Sequence, residues 1–249
     1  MGFDKYQKFG AYHWWASHPG FRFWRYSPRA DANYVVALRL LEAHLDSLHS
    51  ANCRVLDLAC GDGVMAYRMR RRGLSIVGLD LETLALRYAK EELARRNVLD
   101  VALVQGACEA LPFSAAVFDG IVVMELIEHL DERSTMALLY EVKRVAKPRG
   151  ILVLTTPQKQ SNIKRSPYHT QEFSASSLKD LLTEHFVDVK ILGYLSPRAK
   201  RLYAWGGSAL RPARLIWKVL WKIGIFNPFT TITPDPSPDW DNLIAVARL

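Results

Sequence analysis

The stretch that decides the fold is VLDLACGDG, residues Val55–Gly63 of a 249-residue chain. An apolar strand runs into a glycine-containing turn, and a helical pattern begins at Val64. Glycine tolerates positive φ and carries no Cβ, so a ligand can approach the backbone of such a turn closely. A second strand, SIVGLD, ends in Asp80 about 20 residues later, the spacing at which a carboxylate can bind a ribose diol.

The charges beside this turn indicate what kind of ligand it accepts. The stretch has neither the GxGxxG pattern of a dinucleotide fold nor the GKS/T ending of a P-loop. Asp57 and Asp62 would repel a pyrophosphate and attract an amine or a sulfonium. The residues therefore favour a nucleoside with a cationic end over a nucleotide.

The rest of the chain alternates short apolar strands with amphipathic helices, which predicts an α/β fold with a largely parallel sheet. A parallel sheet covered by helices binds its ligands at the carboxyl ends of the strands. The predicted strands are Arg54–Leu58, Ser75–Asp80, Val101–Gln105, Phe118–Met124, Ile151–Thr155, Phe186–Leu192 and Asn242–Leu249. The predicted helices are Asp31–Leu48, Val64–Arg72, Glu82–Arg96, Glu132–Ala146 and Ala175–His185.

Four motifs in order give the chain a family resemblance. The turn at Val55–Gly63, Asp80, the ALPF segment at 110–113 and the KPRG turn at 147–150 resemble those of the class I S-adenosylmethionine (SAM) dependent methyltransferases. The likeness spans residues 50–195 and the last strand, and it is to the type 11 and ubiquinone-biosynthesis O-methyltransferase branch. It implies a Rossmann-like, seven-stranded, mostly parallel sheet with an antiparallel last strand and helices on both faces.

The resemblance also implies which residues bind the cofactor SAM. The turn at Val55–Gly63, which resembles motif I of that family, would line the methionine and ribose. Asp80 would accept both ribose hydroxyls, and Leu81 would pack on the adenine. One departure is Ala107 in QGACEALPF, where the family often has an aspartate that contacts the adenine amino group. The implied cofactor-binding residues are Asp57, Ala59, Gly61, Gly63, Asp80, Leu81, Cys108 and Glu109.

Candidate catalytic residues follow strands four and five. MELIEHLD places Glu125, Glu128 and His129 at an E-x-x-E-H spacing, and His169 follows in SPYHTQEF. Two carboxylates and two imidazoles suit Mg²⁺, Mn²⁺ or Zn²⁺. The set resembles the Glu-Glu-His-His metal site of small-RNA 3′-terminal 2′-O-methyltransferases. Two other hypotheses stay open: His129 is an unmetallated general base, with Glu125 and His169 beside it, or these residues only support the fold.

The first 30 residues are unusually aromatic. This density excludes a disordered tail and predicts either an aromatic cap over the active site or an extension that packs on the domain for stability. Tyr12, His13 and Tyr168 are further candidates for substrate contact. The aromatic residues are Phe3, Tyr6, Phe9, Tyr12, Trp14, Trp15, Phe21, Phe23, Trp24 and Tyr26.

The net charge of +8 lies in one late segment. Residues 189–234 contain eight of the 33 basic residues and no acidic one, so the remaining 25 balance the 25 acidic residues. Within it, 210–223 has a basic stripe beside an apolar, Trp-bearing face. Such a helix suits an anionic membrane surface, and it equally suits a lid packed on the domain. A neutral core makes nucleic acid an unexpected partner.

Together these observations predict four segments: 1–49 (cap and helix), 50–195 (SAM-binding core), 196–241 (basic insertion) and 242–249 (last core strand). Three cysteines without metal spacing and an N-terminus unlike a signal peptide predict a cytoplasmic protein, with possible membrane association. The leading hypothesis is in-line O-methylation of a small aromatic, lipid-like or glycan acceptor. The alternatives are RNA ribose 2′-O-methylation and a non-catalytic binding protein of the same fold. The oligomeric state is left open.

Overall fold

The computed structural model describes residues 5–17, 27–47, 53–160, 166–204, 219–220, 227–234, 236–238 and 240–249. Helices and strands alternate along most of this length. The helices are α1 (Lys5–Phe9), α2 (Tyr12–Ser17), α3 (Pro28–Ser47), α4 (Val64–Arg70), α5 (Thr83–Ala94), α6 (Glu132–Val145), α7 (Ala175–Thr183) and α8 (Pro197–Ala204). The strands are β1 (Arg54–Leu58), β2 (Ser75–Asp80), β3 (Ala102–Gln105), β4 (Phe118–Met124), β5 (Ala146–Pro157), β6 (Val187–Tyr194) and β7 (Asn242–Arg248).

The seven strands form one sheet in the order β3-β2-β1-β4-β5-β7-β6. Strands β1 to β5 pair in parallel, whereas β7 lies antiparallel between β5 and β6. The predicted fold class, with its antiparallel last strand, is therefore confirmed. Because β1 and β4 are neighbours, the turn after β1 and the residues after β4 lie at the same edge of the sheet.

Both faces of the sheet are buried. One face packs against α6 and α7 through residues such as Leu138 and Leu182, and the other packs against α3 and α4 through residues such as Leu41 and Met69. The central strand β4 is buried along nearly its whole length, in keeping with its continuous apolar sequence. None of the described helices is both long and apolar enough to cross a bilayer.

The largest difference from the sequence-based elements is at KPRG. We expected a turn before a strand at Ile151, but β5 already begins at Ala146. Ala146 pairs with Phe118 and Ile151 pairs with Gly120, so five steps on β5 match two on β4. The extra residues bulge outward, and Arg149 adopts φ 68°. The turn residues are thus accommodated inside the strand.

The N-terminal segment forms two short helices that pack onto the domain. Trp14 is fully buried and clusters with Ala11 and Val64 at the start of α4. The guanidinium of Arg96 lies 3.7 Å from the centroid of the Trp14 ring. Of the ten predicted cap aromatics, Phe3, Phe21, Phe23, Trp24 and Tyr26 lie outside the described residues.

The basic helix predicted at 210–223 also falls largely outside the described part of the chain, which includes only Val219 and Leu220 of it. On either side of that segment, α8 and a short 3-10 helix at Pro228–Thr230 are described. Neither was predicted from the sequence, and Phe229 of the second is buried against the α3 face of the sheet.

Candidate active site

The turn after β1 is built from left-handed backbone conformations. Ala59, Gly61 and Gly63 have φ values of 59°, 56° and 83°. Gly63 is also the N-cap of α4, so the turn leads directly into a helix N-terminus. An ideal Cβ on Gly63 would lie 3.0 Å from the Cβ of Ala89 on α5, which leaves no room for a side chain there. The glycine turn expected from the sequence is confirmed.

Asp57 places a buried carboxyl group beneath this turn. Its side chain accepts a hydrogen bond from the Ala66 amide of α4, and burial raises its pKa to about 8. The second oxygen, Oδ2, is buried and has no hydrogen-bond partner in the described structure. A buried oxygen of this kind is costly unless a donor reaches it. Asp57 is therefore prepared to accept a donor from a ligand or from a water held by one.

Asp80 lies at the carboxyl end of β2, and two backbone amides fix its carboxylate. Gly61 N donates to Oδ2 at 2.8 Å, and Glu82 N donates to Oδ1 at 2.9 Å. Each oxygen retains a second lone pair for a further donor. The arrangement suits the recognition of two adjacent hydroxyls.

The residues predicted to surround the adenine follow β2 and β3. Leu81 is 64% exposed, and its carbonyl accepts from the Gln105 side chain at 3.2 Å. Cys108 and Glu109 follow β3, and the Cys108 thiol lies 3.3 Å from the Glu109 carboxylate. Burial raises the pKa of this thiol to about 12, so it is neutral.

The N-terminal helices cover motif I. His13 donates its backbone N–H to Asp62 Oδ2, and its Nδ1 lies 3.0 Å from Oδ1. The indole N–H of Trp14 donates to the Asp62 carbonyl at 2.6 Å. Tyr12 stacks on the His13 ring at a centroid distance of 3.8 Å. We name residues 5–17 the cap. These residues contact the turn after β1, as the aromatic-cap interpretation expects, and they also pack on the domain, as the packed-extension interpretation expects.

Lys5 is a residue that sequence reasoning missed. Burial lowers the pKa of its ammonium, while Asp80, Asp62, Glu82 and Glu128 act to raise it. A cation from the cap thus lies within the field of the carboxylates around motif I. No spacing pattern identifies Lys5, because it precedes the turn by more than 50 residues.

Glu125 follows β4 in a left-handed conformation, with φ 49°. Its carboxyl accepts from Asn242 Nδ2 at 3.1 Å and bonds to the Thr155 side chain. Burial, reinforced by Glu128, raises the pKa of Glu125. A residue held in this rare conformation at a strand end is typical of functional sites.

Three of the four predicted metal ligands come together. Glu128, His129 and His169 each present a ligand atom, and these atoms lie within 4.8 Å of one another. Glu125 is not part of this group, and its carboxyl bonds to Asn242 and to the Thr155 side chain. The four-residue set is thus a three-residue set in this structure.

Neighbouring groups orient these three side chains. His129 Nδ1 pairs with the Tyr168 carbonyl at 2.8 Å, so Nε2 is the atom turned towards Glu128, at 3.9 Å from Oε1. The other Glu128 oxygen accepts from Thr156 Oγ1 at 3.0 Å. Tyr168 itself has an exposed side chain and contributes its backbone here. Such outer contacts are what fix metal-binding imidazoles and carboxylates.

Comparison with known proteins identifies what the central part of the chain is similar to. Residues 55–150 match a family model described as a methyltransferase domain. A ubiquinone biosynthesis O-methyltransferase of Neisseria meningitidis is 34% identical over 111 residues, which cover 43% of this chain and 44% of that relative. The chain spans about half the length of the curated relatives it matches.

Solved structures share the fold at low identity. One is the 1,6-didemethyltoxoflavin-N1-methyltransferase of Burkholderia thailandensis with bound S-adenosylhomocysteine, at a TM-score of 0.59 and 19% identity over 93% of this chain and 83% of that one. Another is the methyltransferase domain of a bacterial CtHen1, at a TM-score of 0.59 and 18% identity over 87% of this chain and 100% of that one. At these identities the likeness concerns the fold alone.

Proposed function

We propose that this chain transfers the methyl group of SAM to a small-molecule acceptor. The premise is that residues 55–150 match a family model described as a methyltransferase domain. The observation that carries the proposal is the group of carboxylates around the glycine turn. Asp62 and Asp80 lie there beside the buried Asp57, and the charges of Asp62 and Asp80 act on the chain's own Lys5 cation. A site of this character favours a ligand with an ammonium or sulfonium group.

The described residues fit SAM. The unpartnered Asp57 Oδ2 suits the α-amino group or a water bound to it, and the amide-fixed Asp80 suits the ribose diol. The exposed Leu81 offers a surface for the adenine, with Cys108 and Glu109 at its edge. Ala59, Gly61 and Gly63 allow close approach of the methionine moiety to the backbone. When bound, SAM supplies an electrophilic methyl group, and the chain's task is to align an acceptor with it.

The acceptor atom proposed is oxygen. A hydroxyl must lose its proton as it is methylated, and the site after β4 offers groups that can take it. His129 presents Nε2 on a half-exposed ring, fixed by its bond to the Tyr168 carbonyl. His169 lies close by, with ring centroids 5.2 Å apart. The names of several relatives, ubiquinone biosynthesis O-methyltransferases, are in keeping with this chemistry.

A divalent metal remains a finer proposal. Glu128, His129 and His169 would hold it, and it would lower the pKa of a bound hydroxyl. The same three residues give the RNA 2′-O-methylation alternative its support, because a ribose diol is a suitable partner for a metal. Acidic and imidazole groups also cluster in proteins without a metal, and titration distinguishes the metal-assisted form of the proposal from the metal-free form.

Calorimetric titration with S-adenosylhomocysteine, with and without Mg²⁺, Mn²⁺ or Zn²⁺, tests the proposal. We expect micromolar cofactor-product binding to the wild type. Loss of this binding in Asp80→Asn would support the assigned site, provided that Asp100→Asn still binds. Asp100 lies on the exposed surface and serves as the control. No binding to the wild type would refute the enzyme proposal and favour the non-catalytic alternative.

The same titration separates the metal from the general base. A metal signal that disappears in Glu128→Ala and persists in Glu132→Ala, an exposed glutamate on α6, would support metal-assisted transfer. Binding of S-adenosylhomocysteine without any metal signal would assign proton removal to the imidazoles alone.

A further inference from the structure

A cavity of about 430 Å³ adjoins the candidate active site. It is bounded by residues at the carboxyl ends of β4 and β5 and by the start of β7: Glu125, Pro157, Gln158, Asp241 and Asn242. The N-terminal turns of α3 close another side. Because β4 is the neighbour of β1, this cavity lies beside the cofactor turn rather than within it. Its size is typical of small-molecule sites.

Most of the described lining residues of this cavity have polar or charged side chains. Side-chain amides come from Asn33, Gln158, Gln160 and Asn242, and none of the described lining residues is Phe, Tyr or Trp. The apolar residues of the lining are Ala30, Pro157 and Leu195. Such walls differ from the mostly apolar lining that flat aromatic or lipid-like ligands prefer.

Two buried side-chain amide oxygens of the described cavity lining lack a hydrogen-bond donor: Gln158 Oε1 and Asn33 Oδ1. Gln158 is only 8% exposed, and its Nε2 donates to the Ser237 carbonyl at 3.3 Å, which fixes the direction of the amide. A buried carbonyl oxygen without a donor costs about 1–3 kcal/mol. Hydroxyl groups of a ligand would satisfy both.

The charged side chains of the described lining are Arg29, Glu125, Glu172 and Asp241, which are three carboxyl groups and one guanidinium. Arg29 pairs with Asp241 at 2.8 Å, and a second Asp241 oxygen accepts from Gln160. The described lining thus offers both hydrogen-bond donors and acceptors, and its excess of carboxyl groups disfavours an anionic ligand. Hydroxyl groups, which both donate and accept, match such a lining.

We propose that the cavity binds a polyhydroxylated acceptor of the sugar class and presents one of its hydroxyls for methylation. This rests on the proposed function. In the transfer, the hydroxyl oxygen forms a bond to the methyl carbon. The carbon–sulfur bond breaks with its electron pair remaining on sulfur, and the hydroxyl proton passes to the His169 imidazole, which lines the cavity. Of the acceptors expected from the sequence, the polar walls favour the glycan over the aromatic and the lipid-like compound.

Ligand-observed NMR on the full chain tests this directly, with methyl α-D-glucopyranoside and methyl α-L-rhamnopyranoside as sugar probes and catechol as the flat probe. We expect saturation transfer to at least one glycoside and little to catechol. Gln158→Leu and Asn33→Leu should each weaken glycoside binding about tenfold, the equivalent of one lost buried hydrogen bond. Arg39→Leu, on an exposed position of the same helix α3, should bind as the wild type does.

Thermal melts check that each variant is folded. If one of the two leucine variants is unfolded, the other still tests the proposal. Binding of catechol without either glycoside, binding of none of the probes, or wild-type glycoside affinity in both folded variants would overturn the proposal. Parallel titration with S-adenosylhomocysteine tests the methyltransferase proposal separately from the sugar proposal. Glycoside binding without cofactor-product binding would refute the methyltransferase proposal alone, and the reverse would refute the sugar proposal alone.

Discussion

Replacing Gly61 by alanine tests how tightly the cap closes on motif I. Gly61 has φ 56°, and an ideal Cβ there would lie 2.5 Å from the hydroxyl oxygen of Tyr6. Tyr6 is 5% exposed, so its ring cannot move without disturbing the packing of the cap. The alanine therefore meets two penalties, one from the backbone and one from the contact with Tyr6.

The chain contains a control for the first penalty. Gly73 has φ 86°, and a Cβ there would meet nothing within 4 Å. Gly73→Ala should lower the free energy of unfolding by the left-handed strain alone, roughly 1–2 kcal/mol. Gly61→Ala should lose that amount and in addition about 1–3 kcal/mol for overpacking against Tyr6.

Urea unfolding of four proteins completes the test: Gly61→Ala, Gly73→Ala, Tyr6→Phe and the Gly61→Ala/Tyr6→Phe double variant. Removing the Tyr6 hydroxyl should recover most of the contact penalty, so the double variant should be more stable than the sum of the single changes predicts. Gly61→Ala alone should also weaken S-adenosylhomocysteine binding. Equal losses for the two glycine variants, with no recovery from Tyr6→Phe, would refute the contact between cap and turn.

Three further predictions concern the cofactor, the buried acids and the basic segment. Asp80→Asn should weaken S-adenosylhomocysteine binding by about 1.5–3 kcal/mol, because a charge-assisted bond to the ribose is lost, whereas Asp100→Asn should leave calorimetric affinity unchanged. Burial raises the pKa of Glu125 above its ordinary 4.5, so the contribution of its protonated carboxyl to the free energy of unfolding is complete at acid pH and declines as the pH rises through the folded-state pKa. In urea unfolding between about pH 5 and pH 8, Glu125→Gln should therefore gain stability relative to the wild type. A difference that stays constant with pH would contradict this. If 210–223 binds an anionic membrane, the protein should float with phosphatidylserine vesicles, and Arg214→Glu/Lys218→Glu should weaken this by about 1 kcal/mol or more for each charge, with phosphatidylcholine vesicles as the control.

Local sequence patterns were sufficient to predict the fold class and the order of the strands and helices in the core. Motif I, Asp80 and the apolar run of β4 each involve neighbouring residues, and periodicity identifies such elements well. The position of β7 came from the family resemblance rather than from periodicity. Helix ends and the KPRG bulge were less predictable, because pairing with β4 draws Ala146 into the strand ahead of the turn residues.

The chemistry of the site was predicted less completely, since it depends on contacts between distant residues. The E-x-x-E-H spacing correctly brings Glu128 to His129, but Glu125 lies outside their group and bonds to Asn242, which is 117 residues away. Lys5 reaches the acids of motif I from the start of the chain. The cavity walls join α3, β5 and β7, so no single stretch of sequence contains their pattern.

The position of β7 has a consequence for synthesis. Strand β6 joins the sheet only through β7, which the ribosome makes about 50 residues later. Until then the parallel strands β1 to β5, with the cofactor turn and Asp80, are already available to pair, while Asp241 and Asn242 have yet to be made. A nascent chain can therefore complete its proposed cofactor site before its proposed acceptor cavity exists, and the insertion of one strand finishes the sheet and that cavity together.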